Sequence, residues 1–210
     1  MQYQSITHTH YSYVGKTSIF QRAVDPKWKF THEILATIAI SKPVVKRTAK
    51  GAIKLWDCGG QERFFNITSA FLRQTDACII VSSLDNKTSF DSASRWLNDI
   101  QHIIKSKQKE AIPVVFVINK IDLDGKNEFV MKDWKAQEER ISRKYGVPSY
   151  RVSALLNTGI HDMLENVVVL EKKKRLCRRT NSSFQRKLRK RMSSSSSMIA
   201  DDRAMCCVIS

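Results

Sequence analysis

The sequence predicts an α/β fold built on a mostly parallel sheet. Three observations carry that expectation. Apolar, strand-like runs alternate with helical patterns, which is the signature of βαβ units. A chain of 210 residues fits one such domain plus a tail. A hydrophobic content of 42% is enough to fill a sizeable core.

Taken in order, residues 16–24 read as the first helix. Residues 37–48 and 51–57 read as a hairpin that turns at Ala49-Lys50-Gly51. Residues 52–56, 77–83, 114–119 and 149–154 read as strands. Residues 87–105 read as a helix because Phe90, Trp96, Leu97, Ile100, Ile103 and Ile104 fall near one face. Asp91 and Ser92 sit inside that pattern and blur its start. Residues 132–145 and 159–174 complete the helices. Past about residue 176 the pattern turns polar and basic. Ser193–Ser197 is a serine run with nothing to bury, which suits a flexible linker. The expected division is therefore a folded domain over 1–176 and a disordered, basic tail over 177–210.

The net charge of +16 belongs mostly to that tail. Residues 171–192 carry eleven Lys or Arg against one acid, a net +10, which leaves about +6 to the rest. No N-terminal apolar region marks a secretory signal. The longest apolar run, residues 112–118, includes Pro113 and is far too short to span a membrane. The five cysteines form no CxxC pair and no His cluster has ligand spacing, so neither structural zinc nor a disulfide framework is expected.

Three short segments carry chemistry. In Val14-Gly15-Lys16-Thr17-Ser18, backbone N–H groups, an ammonium and a hydroxyl suit a phosphate cradle with a magnesium ligand. In WDCGGQERF (residues 56–64), Asp57 suits the metal side and the Gly60 backbone N–H can sense a terminal phosphate. In NKID (residues 119–122), Asn119 and Asp122 suit a guanine edge, because a carboxylate accepts from both N1–H and the 2-amino group. Adenine offers no such pair. NKID also directly follows an apolar strand.

With these residues in view, the chain resembles a Ras-superfamily small GTPase, closest to the Rab family. WDCGGQERF is similar to the Rab stretch WDTAGQERF, and IPVVFVINKIDL (residues 112–123) to IPVVLVGNKCDL. The resemblance covers roughly residues 14–172 and the terminus. It implies the P-loop NTPase fold, with six strands flanked by helices, and GTP/GDP and Mg²⁺ as ligands. Lys16 would reach the β- and γ-phosphates, with Thr17, Thr37 and Asp57 on the metal. Phe30, seven residues before Thr37, would pack against guanine. Gln61 matches the glutamine that orients the attacking water. Lys120 would help hold the base, and Ser153-Ala154-Leu155 resembles the SAK loop, with Leu155 in place of its lysine. The terminus Cys206-Cys207-Val208-Ile209-Ser210 resembles a prenylation signal, which makes Cys206 and Cys207 the expected lipid sites.

The pattern breaks at the start. Where the family has an apolar first strand, residues 3–13 read Tyr-Gln-Ser-Ile-Thr-His-Thr-His-Tyr-Ser-Tyr. His10 falls on the first P-loop glycine and Tyr13 on another. A central strand is buried on both faces, and each unsatisfied polar group there costs about 1–3 kcal/mol. Lys42 also replaces an aromatic on the effector-facing surface.

Two functional readings follow. In the first, the chain is a Rab-like switch that cycles between GTP and GDP in vesicle trafficking, with slow intrinsic hydrolysis set against its lost P-loop glycines. An exchange factor, an activating protein, a GDP-dissociation inhibitor or prenyl-binding escort and trafficking effectors are the implied partners. The expected location is the cytoplasmic face of endomembranes with a cytosolic pool, the basic tail lying on anionic lipid and no nucleic acid bound. In the second, it is a non-catalytic pseudo-GTPase acting as a lipidated scaffold.

Overall fold

Strand β3 (Ala77–Ser83) has no exposed residue, and that fixes the architecture around it. A strand buried on both faces must sit inside a sheet covered on both sides. The computed structural model describes residues 13–31, 34, 37, 40–59, 70, 72, 75–106, 112–126, 132–189 and 204–209. Along β3, Cys78 and Ile80 enter one core, while Ile79 and Val81 enter the other. Strand β4 (Val114–Asn119) repeats the division, with Phe116 and Ile118 on one side and Val115 and Val117 on the other. This is the two-residue period of an extended chain.

Helices cover both faces. α2 (Thr88–Ser106) and α3 (Trp134–Tyr145) close the first core through Phe90, Trp96, Leu97, Ile100, Trp134 and Ile141. Phe90 meets Phe116 edge-on, with ring centroids 5.9 Å apart. α1 (Lys16–Val24) and α4 (Ile160–Arg189) close the second through Ile19, Phe20, Met163, Leu164 and Val167. Gly146, at φ +63°, ends α3 in the left-handed conformation that stops a helix.

The described residues form one sheet of six strands. β1 (Val44–Thr48) and β2 (Gly51–Asp57) make the antiparallel hairpin, in register from Val44 against Leu55 to Thr48 against Gly51. β5 (Ser149–Arg151) lies parallel to β4 at the opposite edge. β6 (Ala204–Ile209) lies between β2 and β3 and is parallel to both. The strand order is β1-β2-β6-β3-β4-β5.

Boundaries expected for α1, β3 and β4 match. β5 is three residues shorter than expected. Two departures concern the tail. α4 continues past residue 174 to Arg189, and residues 204–209 form a strand, where the sequence reading placed an unstructured segment from residue 177. Residues 190–203 and the polar stretch 1–12 lie outside the described residues. No helix among the described residues is long and apolar enough to cross a membrane.

Candidate guanine-nucleotide site

The site lies at the start of α1, and Gly15 sets its shape. Gly15 has φ +85°, and a Cβ there would stand 2.3 Å from Asn119 Nδ2. Both the left-handed backbone and the close approach require glycine. Gly15 caps α1 without any side-chain hydrogen bond, so the first turn keeps its N–H groups directed outward, with the positive end of the helix behind them.

Lys16 follows, 4% exposed, and its Nζ has no hydrogen-bond partner. Burial pushes its ammonium down to about 8, against the pull of the nearby Asp57 carboxylate. Across from it three oxygens converge. Thr17 Oγ1 donates to Asp57 Oδ2 at 2.8 Å, Thr37 Oγ1 donates to the same oxygen at 2.6 Å, and the two hydroxyls stand 3.0 Å apart. Burial pushes the Asp57 carboxyl up; the Thr37 and Thr17 hydroxyls and then Lys16 pull it back. Asp57 Oδ1 is buried without a partner. A buried ammonium and a buried carboxylate oxygen, each unsatisfied, are costly unless a ligand answers them. Their chemistries call for an anion and a hard cation, as a nucleotide phosphate with Mg²⁺ supplies. The residues therefore fit Mg²⁺.

The other end of the same cavity, of about 340 Å³, is built on the loop after β4. Asn119 is 1% exposed and ties two segments together. Its Nδ2 donates to Val14 O at 2.8 Å, and its Oδ1 accepts from Ala154 N at 3.1 Å. Lys120 turns the chain at φ 62° and pairs with Asp85 at 2.6 Å. Ser153 Oγ donates to Asp122 Oδ1 and accepts from Leu156 N at 3.1 Å. Asp122 itself lines the cavity. α3 buttresses this loop, because Trp134 Nε1 donates to Asp124 Oδ1 at 3.0 Å.

Most of the expected residues thus meet. Gly15, Lys16, Thr17, Ser18, Phe30, Thr37, Asn119, Lys120, Asp122, Ala154 and Leu155 line the one cavity. Val14 and Ser153 lie behind it, both fully buried. Tyr13, which falls on a family glycine, is 64% exposed and stands at the cavity's wall. Gly60 and Gln61 lie outside the described residues. Cys58, also at the wall, is buried and disulfide-bonded, which the sequence reading did not expect; Cys78 and Cys177 are free thiols.

Sequence reasoning missed Arg22. From α1 its Nε donates to Ala154 O at 2.9 Å and its Nη2 to Leu155 O at 3.1 Å. Its Nη1 donates to Trp28 O and, at 3.3 Å, to Pro26 O. The guanidinium also stands 5.5 Å from the Trp28 ring centroid, and Trp28 meets Phe30 edge-on at 5.9 Å. One side chain thus joins the base-side loop to the segment carrying Phe30. Nothing in the sequence marks Arg22 beyond a basic residue in the last turn of a helix.

Comparison with known proteins agrees with this geometry. Residues 10–173 match the Ras family. The chain is 31% identical over 158 residues to Ras-related protein Rab7 of Cenchrus ciliaris, covering 74% of this chain and 75% of that protein. It is 32% identical over 152 residues to Ras-related protein RABG3e of Arabidopsis thaliana, with coverage of 71% and 72%. It is 33% identical over 158 residues to the Ypt/Rab-type GTPase ypt71 of Schizosaccharomyces pombe, with coverage of 73% and 74%. A family match across most of the chain and a site assembled from the three motifs lead to one conclusion: this chain belongs to the Ras family of small GTPases, in its Rab branch.

Proposed function

We propose that this chain binds and hydrolyses GTP as a Mg²⁺-dependent switch in vesicle trafficking. The observation that carries this reading is the pairing of opposite chemistries in one cavity. A buried, partnerless ammonium and two hydroxyls backed by the Asp57 carboxylate lie at one end, and Asp122 with Asn119 at the other. Lys16 binds the β- and γ-phosphates, and its lowered proton affinity still leaves it mostly charged at neutral pH. Thr17, Thr37 and Asp57 would hold Mg²⁺, which when bound offsets phosphate charge. Asp122 accepts from the guanine N1–H and 2-amino group, and the Ala154 loop closes over the base. Gln61 orients the water that attacks the γ-phosphate in line. Thr37 ties the segment between α1 and β1 to Asp57, so loss of the γ-phosphate can release it.

The partners follow from membership: an exchange factor, an activating protein, a GDP-dissociation inhibitor and trafficking effectors. Lipid on Cys206 and Cys207, with the basic helix end against anionic headgroups, would hold the chain to the cytoplasmic face of endomembranes. The scaffold reading finds no support in the family match or in the Rab relatives.

Base selection provides the test. Asp122→Asn replaces an acceptor by an amide that donates, so the variant is expected to lose GTP affinity and gain xanthosine triphosphate affinity. Equal binding of GTP by the variant and the parent would sink the assignment of Asp122.

A further inference from the structure

The family's central strand is expected at the N-terminus, yet the slot between β2 and β3 holds the C-terminal strand. β6 pairs with β2 from Ile53 against Ala204 to Asp57 against Val208. It pairs with β3 from Ala77 against Cys206 to Ile80 against Ile209. β2 and β3 are neighbours only through it. Composition explains the choice. Ala-Met-Cys-Cys-Val-Ile has six apolar residues in a row, as a strand covered on both faces demands. Residues 3–13 are mostly polar and would leave donors and acceptors unanswered there. The connection is long enough. Residues 190–203 reach at most about 50 Å, and α4, about 45 Å long, needs no more than that to be retraced.

We propose that Ala204–Ile209 is a displaceable central strand. Seated, it completes the sheet; released, it presents the terminal cysteines for lipid attachment. The second half rests on the lipidation reading above; the first does not. Any enzyme that alkylates a C-terminal cysteine must grip the backbone around it. In β6 that backbone is laddered on both edges, from Leu55 and Trp56 on one side and Ala77 and Cys78 on the other. In the released state, after a dithiol reductant has returned any disulfide at these cysteines to thiols and become a disulfide itself, the cysteine sulfur displaces diphosphate from an isoprenyl diphosphate. A carbon–sulfur bond forms, the carbon–oxygen bond breaks, and the thiol proton passes to solvent. Seating and lipid attachment then exclude each other, so the same six residues set both sheet completeness and membrane access.

Hydrogen exchange on the full-length chain, in reducing buffer, tests the seating. Amides of 204–209 are expected to exchange within about tenfold of those of β3. Exchange at the rate of a free peptide would overturn the proposal. Met205→Pro, which leaves the last five residues intact, removes a ladder donor and adds a ring clash. It is expected to free the segment and to raise the rate of prenyl transfer at least tenfold over the parent. If parent and variant are prenylated equally fast, the withholding is refuted. If neither is prenylated while 204–209 stays protected, the strand stands and the lipid reading falls.

Discussion

Asn119→Ala separates the architecture of the site from its affinity. The side chain is 1% exposed and makes two hydrogen bonds, at 2.8 Å to Val14 O and 3.1 Å to Ala154 N. Val14 is fully buried and Ala154 is 3% exposed. Neither backbone group can turn to water when the amide is removed. Each buried group left unsatisfied costs about 1–3 kcal/mol, so a loss of roughly 2–4 kcal/mol is expected. In a domain of this size about 1 kcal/mol moves the melting temperature by roughly 2–4 °C. A fall of about 5–15 °C should follow in thermal melts without nucleotide. Asp122→Ala provides the contrast: among the described residues its carboxylate takes one side-chain bond, from Ser153, and Ser153 Oγ keeps its other bond, from Leu156 N. It should melt within about 3 °C of the parent, yet bind GTP far more weakly. Asn119→Ala melting with the parent would refute the view that this residue splices the phosphate loop to the base loop.

Other outcomes follow from the same structure. Gln61→Leu should keep GTP binding and slow single-turnover hydrolysis roughly 10–100-fold, since the water loses its orienting group; unchanged hydrolysis would remove Gln61 from the mechanism. Arg22→Ala should speed nucleotide dissociation by about tenfold, equivalent to about 1.4 kcal/mol, because both cavity walls lose their shared anchor. A stopped-flow release rate equal to the parent's would show that Arg22 is only a surface contact. Serine at both Cys206 and Cys207 should shift the protein from the membrane to the soluble fraction in cells. Headgroup attraction alone is screened within about 8 Å, so continued sedimentation with membranes would disprove lipid anchoring.

The local parts of this fold were legible in the sequence for physical reasons. β3 and β4 are continuous apolar runs because both faces are covered, and their ends are set by polar residues. α1 begins where glycine permits the turn and ends at Asp25. The phosphate and base motifs could be placed because each follows such an element. Long-range choices were not legible. Ala-Met-Cys-Cys-Val-Ile satisfies both a buried strand and a lipid signal, and only pairing with Ile53–Asp57 and Ala77–Ile80 distinguishes them. Arg22 acts across 132 residues of sequence on Ala154, a distance at which no spacing rule operates. The end of α4 was set too early because a basic run reads as solvated tail, although it also has good helix propensity.

The central claim is that this cavity selects guanine nucleotide with Mg²⁺. Calorimetric titration of the purified full-length chain with GTP and with ATP, each with and without Mg²⁺, tests it most directly. Tight one-to-one GTP binding that weakens on removing Mg²⁺, with ATP bound at least a hundredfold more weakly, is the expected result. Equal affinity for ATP, or no GTP binding by a chain that melts cooperatively, would contradict it.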